Sequence, residues 1–468
     1  MPTLYPAGEN SMTFNTDFVW GEAVSGYQTE GAAYADGKGL SIWDVFCTQK
    51  GRILEENTGD VSCDMYHKWK EDIQLMKQFG IRNFRFSLSW PRIFPEGIGT
   101  PNKKGVAFYD EFIDTLLENG IDPWVTLYHW DLPYELYKKG GFLNQEFPEW
   151  FASYTRFTAQ RFGDRVQHFF TFNEPQCIVG LGYQTGKHAP GQSASIKDLL
   201  AMQHTILLAH GRAVQELRAF SEKPVKVGMV LTGPADYPAS DTQKDRAACE
   251  KAQLDFLDGP EHDFHFNAFN IATWADPVYL GQYPDKLLDL FGKYMPVIGT
   301  DDMKIISEPV DFQGQNIYNG SCIAAGAQDG YSIVKRQNGF AHTDNGWPMT
   351  PESMYYLPML LSKRYKVPVY ITENGLANED WIALDGKVHD PQRIDFLTRY
   401  LRCLRKAVED GADIRGYFHW SLLDNFEWAK GYGDRFGMVY VDYATQKRIP
   451  KDSLYWYRAV ISSNGGIL

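Results

Sequence analysis

The chain has 468 residues, 44% hydrophobic and 15% aromatic, which is enough apolar material for one large core. Its formal charge of −13 repels phosphate backbones and anionic lipid surfaces, which speaks against nucleic-acid or membrane partners. MPTLYPAGENSMTF has neither a basic start nor an apolar run, so no signal peptide is expected, and six scattered cysteines (47, 63, 177, 249, 322 and 403) without CxxC spacing read as free thiols of a cytoplasmic protein.

Residues 1–11 read as a flexible extension and 12–468 as a single domain, because no linker, low-complexity tract or charge block divides them. The first expected strand is FVWGEAV. In CDMYHKWKEDIQLMKQFG, Tyr66, Trp69, Ile73 and Met76 recur three and four apart on one helical face, and Gly80 closes the helix. A strand follows in IRNFRFSLSW. The pair repeats in VAFYDEFIDTLLENG and IDPWVTLYHW. VQHFFTFNEP, VKVGMVLTG, DFQGQNIYN and VPVYITENG read as further strands, and the helix LTRYLRCLRKAVEDG leads into ADIRGYFHWSL. About eight strands alternating with helices is the count of a closed parallel barrel. The expected fold is therefore a single (β/α)8 barrel with extended βα loops. An open doubly wound sheet is the alternative, weakened because Gly180, Gly182 and Gly186 lack phosphate-loop spacing.

In such a barrel the chemistry sits where the strands finish. Arg85 enters an otherwise apolar run. His129, Trp130 and Asp131 close the third strand, and Asn173 and Glu174 the fourth. Asn316 and Tyr318, then Glu373 and Asn374, end two more. Trp420, Glu427 and Trp428 follow the last. Pro175 excludes right-handed helix at Glu174 and is expected to hold it on extended backbone; Gly375 is expected to permit a sharp exit after Asn374. A lone strand-end Glu is most often a solvated charge and a lone Trp most often packing. Glu174 and Glu373, however, repeat one context far apart in sequence: an apolar strand, an acid and an adjacent Asn.

Two carboxyls facing each other among aromatic platforms suit cleavage of a glycosidic bond, with no metal or cofactor. His262 and His265 lack a third ligand at zinc-type spacing. A sugar-binding protein without chemistry and a metal-assisted barrel hydrolase or isomerase are the alternatives.

FVWGEAVSGYQTEGA, FRFSLSWPRIFP, HWDLP, TFNEP, HAPG, ITENG and WSLLDNFEW…GY…RFG stand in one order along the chain. With these motifs the sequence resembles the family 1 glycoside hydrolases, the retaining β-glucosidases and their relatives, over nearly its whole length. The resemblance implies Glu373 as nucleophile, Glu174 as general acid and base, and Asn173 on the sugar 2-hydroxyl. It implies Arg85 and Tyr318 against the nucleophile. It places Gln28, His129, Trp130, Asn316, Glu427, Trp428 and Phe436 around the sugar, Trp420 beneath its ring and Trp347 on the leaving-group side. The implied substrates are terminal non-reducing β-D-glucosyl residues of cello-oligosaccharides and of aryl or alkyl glucosides; homo-oligomerisation is left open. Relatives acting on 6-phosphoglycosides carry Ser in place of Glu427 and a Lys shortly after, so Glu427 favours an unphosphorylated sugar, although Lys430 lies close by. Plant thioglucosidase relatives lack the acid that Glu174 supplies. Tyr137, Phe142, Glu22, Gln315 and Tyr400 depart from the usual residues.

The expected mechanism is double displacement, with the carboxyls about 5–5.5 Å apart. Arg85 is expected to lower the pKa of Glu373, and the charge on Glu373 to raise that of Glu174.

Overall fold

Eight strands, β1 (Val19–Ala23), β2 (Asn83–Ser87), β3 (Asp122–Tyr128), β4 (His168–Asn173), β5 (Lys226–Leu231), β6 (Phe312–Asn316), β7 (Val369–Glu373) and β8 (Ile414–Trp420), form a closed barrel. Each pairs in parallel with its neighbours in sequence, and β8 pairs with β1 to complete the (β/α)8 fold. The computed structural model describes residues 13–256, 268–326 and 330–468. The expected N-terminal extension and the His262 and His265 pair lie outside these residues.

The helices form where the periodicity places them. Met65–Gln78 buries Tyr66, Trp69, Ile73 and Met76 against the barrel. Lys103–Glu118 starts at Asn102, whose side chain accepts from the Lys104 amide, and buries Phe108, Tyr109, Phe112 and Leu116. Pro391–Glu409 buries Phe396, Leu397, Tyr400, Leu401 and Leu404. Gly80, Gly120 and Gly411 follow these helices at φ +73°, +71° and +99°, a region that glycine enters without a Cβ clash.

Strand β2 is shorter than FRFSLSW suggests. It ends at Ser87, and Trp90–Ile93 turns into a short helix with Pro91 in its first turn, where the missing amide proton costs nothing. A three-stranded sheet (Tyr237–Pro238, Cys322–Ala325 and Tyr331–Ile333) and a hairpin (Val439–Asp442 with Lys447–Pro450) occupy the long excursions after β5, β6 and β8. No helix among the described residues is long and apolar enough to cross a membrane, and the six cysteines form no disulfide.

Aromatic rings fill the barrel interior. Trp124, Phe170, Phe312, Tyr370 and Phe418 form one cluster, with Trp124 and Phe418 centred 5.1 Å apart and Phe170 and Phe312 5.2 Å apart. The Arg85 guanidinium lies 5.2 Å over the Phe170 ring. Truncating one such ring to Ala costs about 3–5 kcal/mol, because the surroundings cannot close the void.

Candidate active site

Arg85 is the hub of the barrel mouth. From β2, and fully buried, it donates to Glu373 Oε1 at 2.7 Å, to the Thr372 carbonyl at 3.0 Å and to Asn173 Oδ1. One guanidinium thus ties together the ends of β4 and β7, because its fork presents several donors in a fixed plane. Tyr318 donates to the other Glu373 oxygen at 2.9 Å. Asn316 donates to Glu174 Oε1 at 2.8 Å and to Asn173 Oδ1 at 3.3 Å. Thr372 donates to Asn316 Oδ1 at 2.6 Å and fixes that amide's orientation.

Both acid-bearing strands lose regular register just before their acids, between Phe170 and Asn173 on β4 and between Ile371 and Glu373 on β7. Such irregularities re-aim side chains at barrel rims. Glu174 does not sit on extended backbone as expected. Its φ is +46° and ψ +65°, and Pro175 opens a single helical turn directly after it. Proline ahead forbids right-handed helix to the preceding residue but leaves the left-handed region open, a strained choice held by its surroundings. Gly375 also serves differently from expectation. A Cβ there would stand 1.8 Å from the Trp420 carbonyl oxygen, so glycine is required by the close approach of β8.

Burial comes first in the electrostatics. It raises Glu174, and the charge on Glu373 raises it further, to about 7, against the pull of Asn316, Cys177 and Arg85. Burial also lifts Glu373 above its ordinary value, and the charge and hydrogen bonds of Arg85 and the donors Tyr318 and Asn316 only partly oppose it. Arg85 lowers Glu373 as expected, but desolvation outweighs it. The contrast between the two survives: only Glu373 is hydrogen-bonded to a cation, so the first negative charge of the pair resides there.

A cavity of about 680 Å³ opens over the two acids. His129, Trp130, Glu174, Tyr318, Trp347, Glu373, Trp420, Glu427, Trp428 and Phe436 all line it. Gln28, Arg85, Asn173 and Asn316 stand behind this wall. The Gln28 amide is spent on Asn425 Oδ1, the Phe426 carbonyl and Glu427 Oε2, so it meets the cavity through Glu427. Trp130 donates its indole N–H to the Asn173 carbonyl at 2.9 Å, and its ring lies 4.4 Å from that of Trp428. His129 stacks near-parallel to Trp420 with centroids 5.9 Å apart. Trp347 is partly exposed at the rim and packs on Tyr318 at 5.0 Å. Asn374 instead ties strands together through the Ile317 carbonyl and the Tyr417 hydroxyl.

Of the departures from the usual residues, Tyr400 bears most directly on the site. Its hydroxyl accepts from the Thr350 amide and donates to the Tyr318 carbonyl at 3.0 Å, steadying the residue that touches Glu373. Glu22 lies 3.1 Å from His419, both fully buried on neighbouring strands. Gln315 is buried with neither side-chain atom bonded to protein.

Cys177, Lys187, His188, Arg336, Asn345 and Asp434 also line the cavity and escaped the strand-end reading. The HAPG motif pointed to His188, and Asp434 stands two residues before Phe436 in the RFG motif. The Cys177 thiol lowers the Glu174 pKa, and Glu174 in turn raises that of the thiol.

A closed parallel barrel with two coupled carboxyls and an aromatic cavity at its strand ends defines a barrel hydrolase of the paired-carboxyl class. The model of Glycosyl hydrolase family 1 matches residues 10–466. Beta-glucosidase A of Thermotoga maritima is 44% identical, covering 97% of this chain and 99% of its own. Beta-glucosidase A of Acetivibrio thermocellus is 43% identical, covering 97% and 100%. The solved structure of the Thermotoga maritima beta-glucosidase in complex with deoxynojirimycin superposes with a TM-score of 0.87 at 44% identity, over 97% of this chain and 99% of that one. The chain belongs to glycosyl hydrolase family 1.

Proposed function

We propose that this chain is an exo-acting, retaining β-glucosidase that removes terminal non-reducing β-D-glucosyl residues from cello-oligosaccharides and from aryl or alkyl glucosides. The observation that carries the reading is the unequal pair of acids: Glu373 is bonded to the Arg85 guanidinium, whereas Glu174 accepts from the uncharged Asn316 amide. The similar proteins are named beta-glucosidases, and one from Thermotoga neapolitana a 1,4-beta-D-glucan glucohydrolase, which supports the substrate class.

In the first step the Glu373 carboxylate attacks the anomeric carbon. The bond from that carbon to the leaving oxygen breaks, and Glu174 gives its proton to that oxygen. Glu373 is then an uncharged ester, so its repulsion of Glu174 disappears and Glu174 holds its proton less tightly. Glu174 next takes a proton from water, the water oxygen attacks the anomeric carbon, and the Glu373 carboxylate leaves. Two inversions give net retention. Asn173, oriented by Arg85, bonds the sugar 2-hydroxyl, where a contact that tightens at the transition state lowers the barrier. His129, Trp130, Trp420 and Trp428 flank the sugar, Glu427 takes its hydroxyls, and Trp347 carries the leaving group. No metal or cofactor takes part.

We further assign residues 12–468 to a single catalytic domain and the protein to the cytoplasm; cysteines without disulfides fit a reducing compartment. The test is proton NMR of 4-nitrophenyl β-D-glucoside during turnover. β-Glucose should form first and mutarotate later. First-formed α-glucose, or no cleavage, would overturn the reading.

A further inference from the structure

The Trp347 side of the cavity is furnished with donors. Trp347 packs on Tyr318 at 5.0 Å, and two further side chains of the same excursion after β6, Arg336 and Asn345, stand on the cavity wall. Arg336 donates to the Gly320 carbonyl at 2.6 Å, two residues beyond Tyr318, and its guanidinium lies 5.8 Å from the centre of the Phe340 ring. These contacts hold the guanidinium in place, while its other N–H groups have no acceptor among the described residues. Asn345, two residues before Trp347, accepts from the Thr343 hydroxyl through Oδ1, which leaves its NH2 group unbonded. Lys187 brings a second cation to the same cavity, from the loop that follows Glu174. Arg336 and Lys187 are both exposed, and neither forms an ion pair with a described residue. Asp236 feels the Arg336 charge, but it is buried and already accepts from the Ser321 amide at 2.9 Å. A chain with 59 Asp and Glu against 46 Lys and Arg has acids to spare for pairing, yet it sets none against these two cations.

Resting on the β-glucosidase reading, we propose that Arg336, Lys187 and the Asn345 amide select the leaving group by charge, and that the favoured substrates are β-glucosides whose aryl leaving group carries a carboxylate. An aryl ring lying on Trp347 keeps its para substituent a full ring away from the glycosidic oxygen. A carboxylate there faces these donors and stands clear of Glu174 and Glu373. The guanidinium suits it because its fork matches the two carboxylate oxygens. A neutral leaving group of the same shape leaves both cations to water and gains nothing from them. Each exposed pair contributes little alone, so the selection comes from several donors acting on one group.

Two probes of one shape test this: 4-carboxyphenyl and 4-carbamoylphenyl 1-thio-β-D-glucoside. They differ in charge, and calorimetry reads their Kd without any need for cleavage. The wild type should bind the carboxylate roughly fivefold more tightly than the amide, the size of a solvent-exposed charge pair. Raising salt to about 0.5 M should shrink that ratio, because exposed charges are screened. Arg336→Gln should at least halve it, and Arg336→Gln combined with Lys187→Gln should bring it close to one. Arg336→Lys, which keeps the charge and loses the fork, should keep part of it. A ratio near one in the wild type overturns the proposal whatever the variants do, and so does an unchanged ratio in the double variant. Were 4-nitrophenyl β-D-glucoside never cleaved, the β-glucosidase reading would fail, while the Kd ratio still decided whether the cavity prefers an anion.

Discussion

Buried charges gather in two places, and they are arranged in opposite ways. Behind β7 and β8, Arg393 bonds Asp380 at 2.7 Å and also Asp390, Lys451 bonds Asp380 at 2.6 Å and Asp424 at 2.7 Å, and Arg435 bonds Asp424. Three cations meet three carboxylates there. Burial pushes Asp380 up, but Lys451 and Arg393 outweigh it and hold the carboxyl at about 2. At the barrel mouth, Glu174, Glu373, Glu427 and Asp434 share one cavity, and among the described residues Arg85 is the one cation bonded to any of them. All four stand above the ordinary carboxylate range, with burial as the first cause of each. The balanced cluster locks a fold in place. The unbalanced one leaves protons and lone pairs available, which is what acid–base chemistry on a sugar requires.

Removing the mouth's single committed charge should have the largest effect. Glu373→Ala is expected to lower kcat by roughly 10⁵–10⁶-fold. Added azide should restore part of the release of 4-nitrophenol and give the α-glucosyl azide. A β-azide would exchange the roles of Glu373 and Glu174.

Glu174→Ala should come next, with losses of roughly 10²–10⁴-fold for alkyl glucosides and far smaller losses for activated aryl glucosides that need no proton. On the proposed mechanism the same residue should set the alkaline limb of the pH profile. Glu174 gives its proton only while protonated, so wild-type kcat/KM should fall as pH rises through about 7. Glu373 must be ionised, so the acid limb should lie above the ordinary carboxylate range. Loss of the alkaline limb in Glu174→Gln ties it to this group; its persistence would assign it elsewhere.

In the balanced cluster, Lys451→Met leaves Asp380 to Arg393 and Asp424 to Arg435 but the interior one positive charge short, and should lower unfolding free energy by about 3 kcal/mol in denaturant titrations. Turnover per folded molecule should hardly change. A variant that kept its stability and lost turnover would merge the two regions into one functional unit.

The smallest effect is expected from Tyr318→Phe, which removes one hydrogen bond to Glu373. It should cost about 1.5–3 kcal/mol, seen as roughly 10- to 100-fold in kcat/KM. A full wild-type rate would mean that Arg85 alone holds that carboxylate.

The barrel and its acids were legible because they obey local rules. An apolar run of strand length announces a buried strand, and an acid at its end has no structural reason to be there, which singles out Glu174 and Glu373. The left-handed backbone of Glu174 was not legible, since Pro175 removes one conformation without choosing among the rest. Nor was the role of Gln28, whose partners stand at 425–427 in a loop without periodicity. Asp434 lies in an irregular turn, where only closure of the fold brings it to the cavity that Glu427 also lines. The net upward shift of Glu373 was likewise hidden, because desolvation belongs to the assembled cavity and not to the neighbouring residues.

The ring-filled barrel floor has a consequence for how this scaffold can diversify. Arg85 rests on Phe170 and reaches Glu373 from below, so that acid is referenced chiefly to the strands and only through Tyr318 to the excursions above them. Segments that do not touch Tyr318, which Trp347 packs against, can therefore be lengthened, shortened or exchanged with little re-tuning of the acids beneath. A library randomised only in those upper segments should yield enzymes that differ in the partner released from the sugar while sharing one reaction stereochemistry.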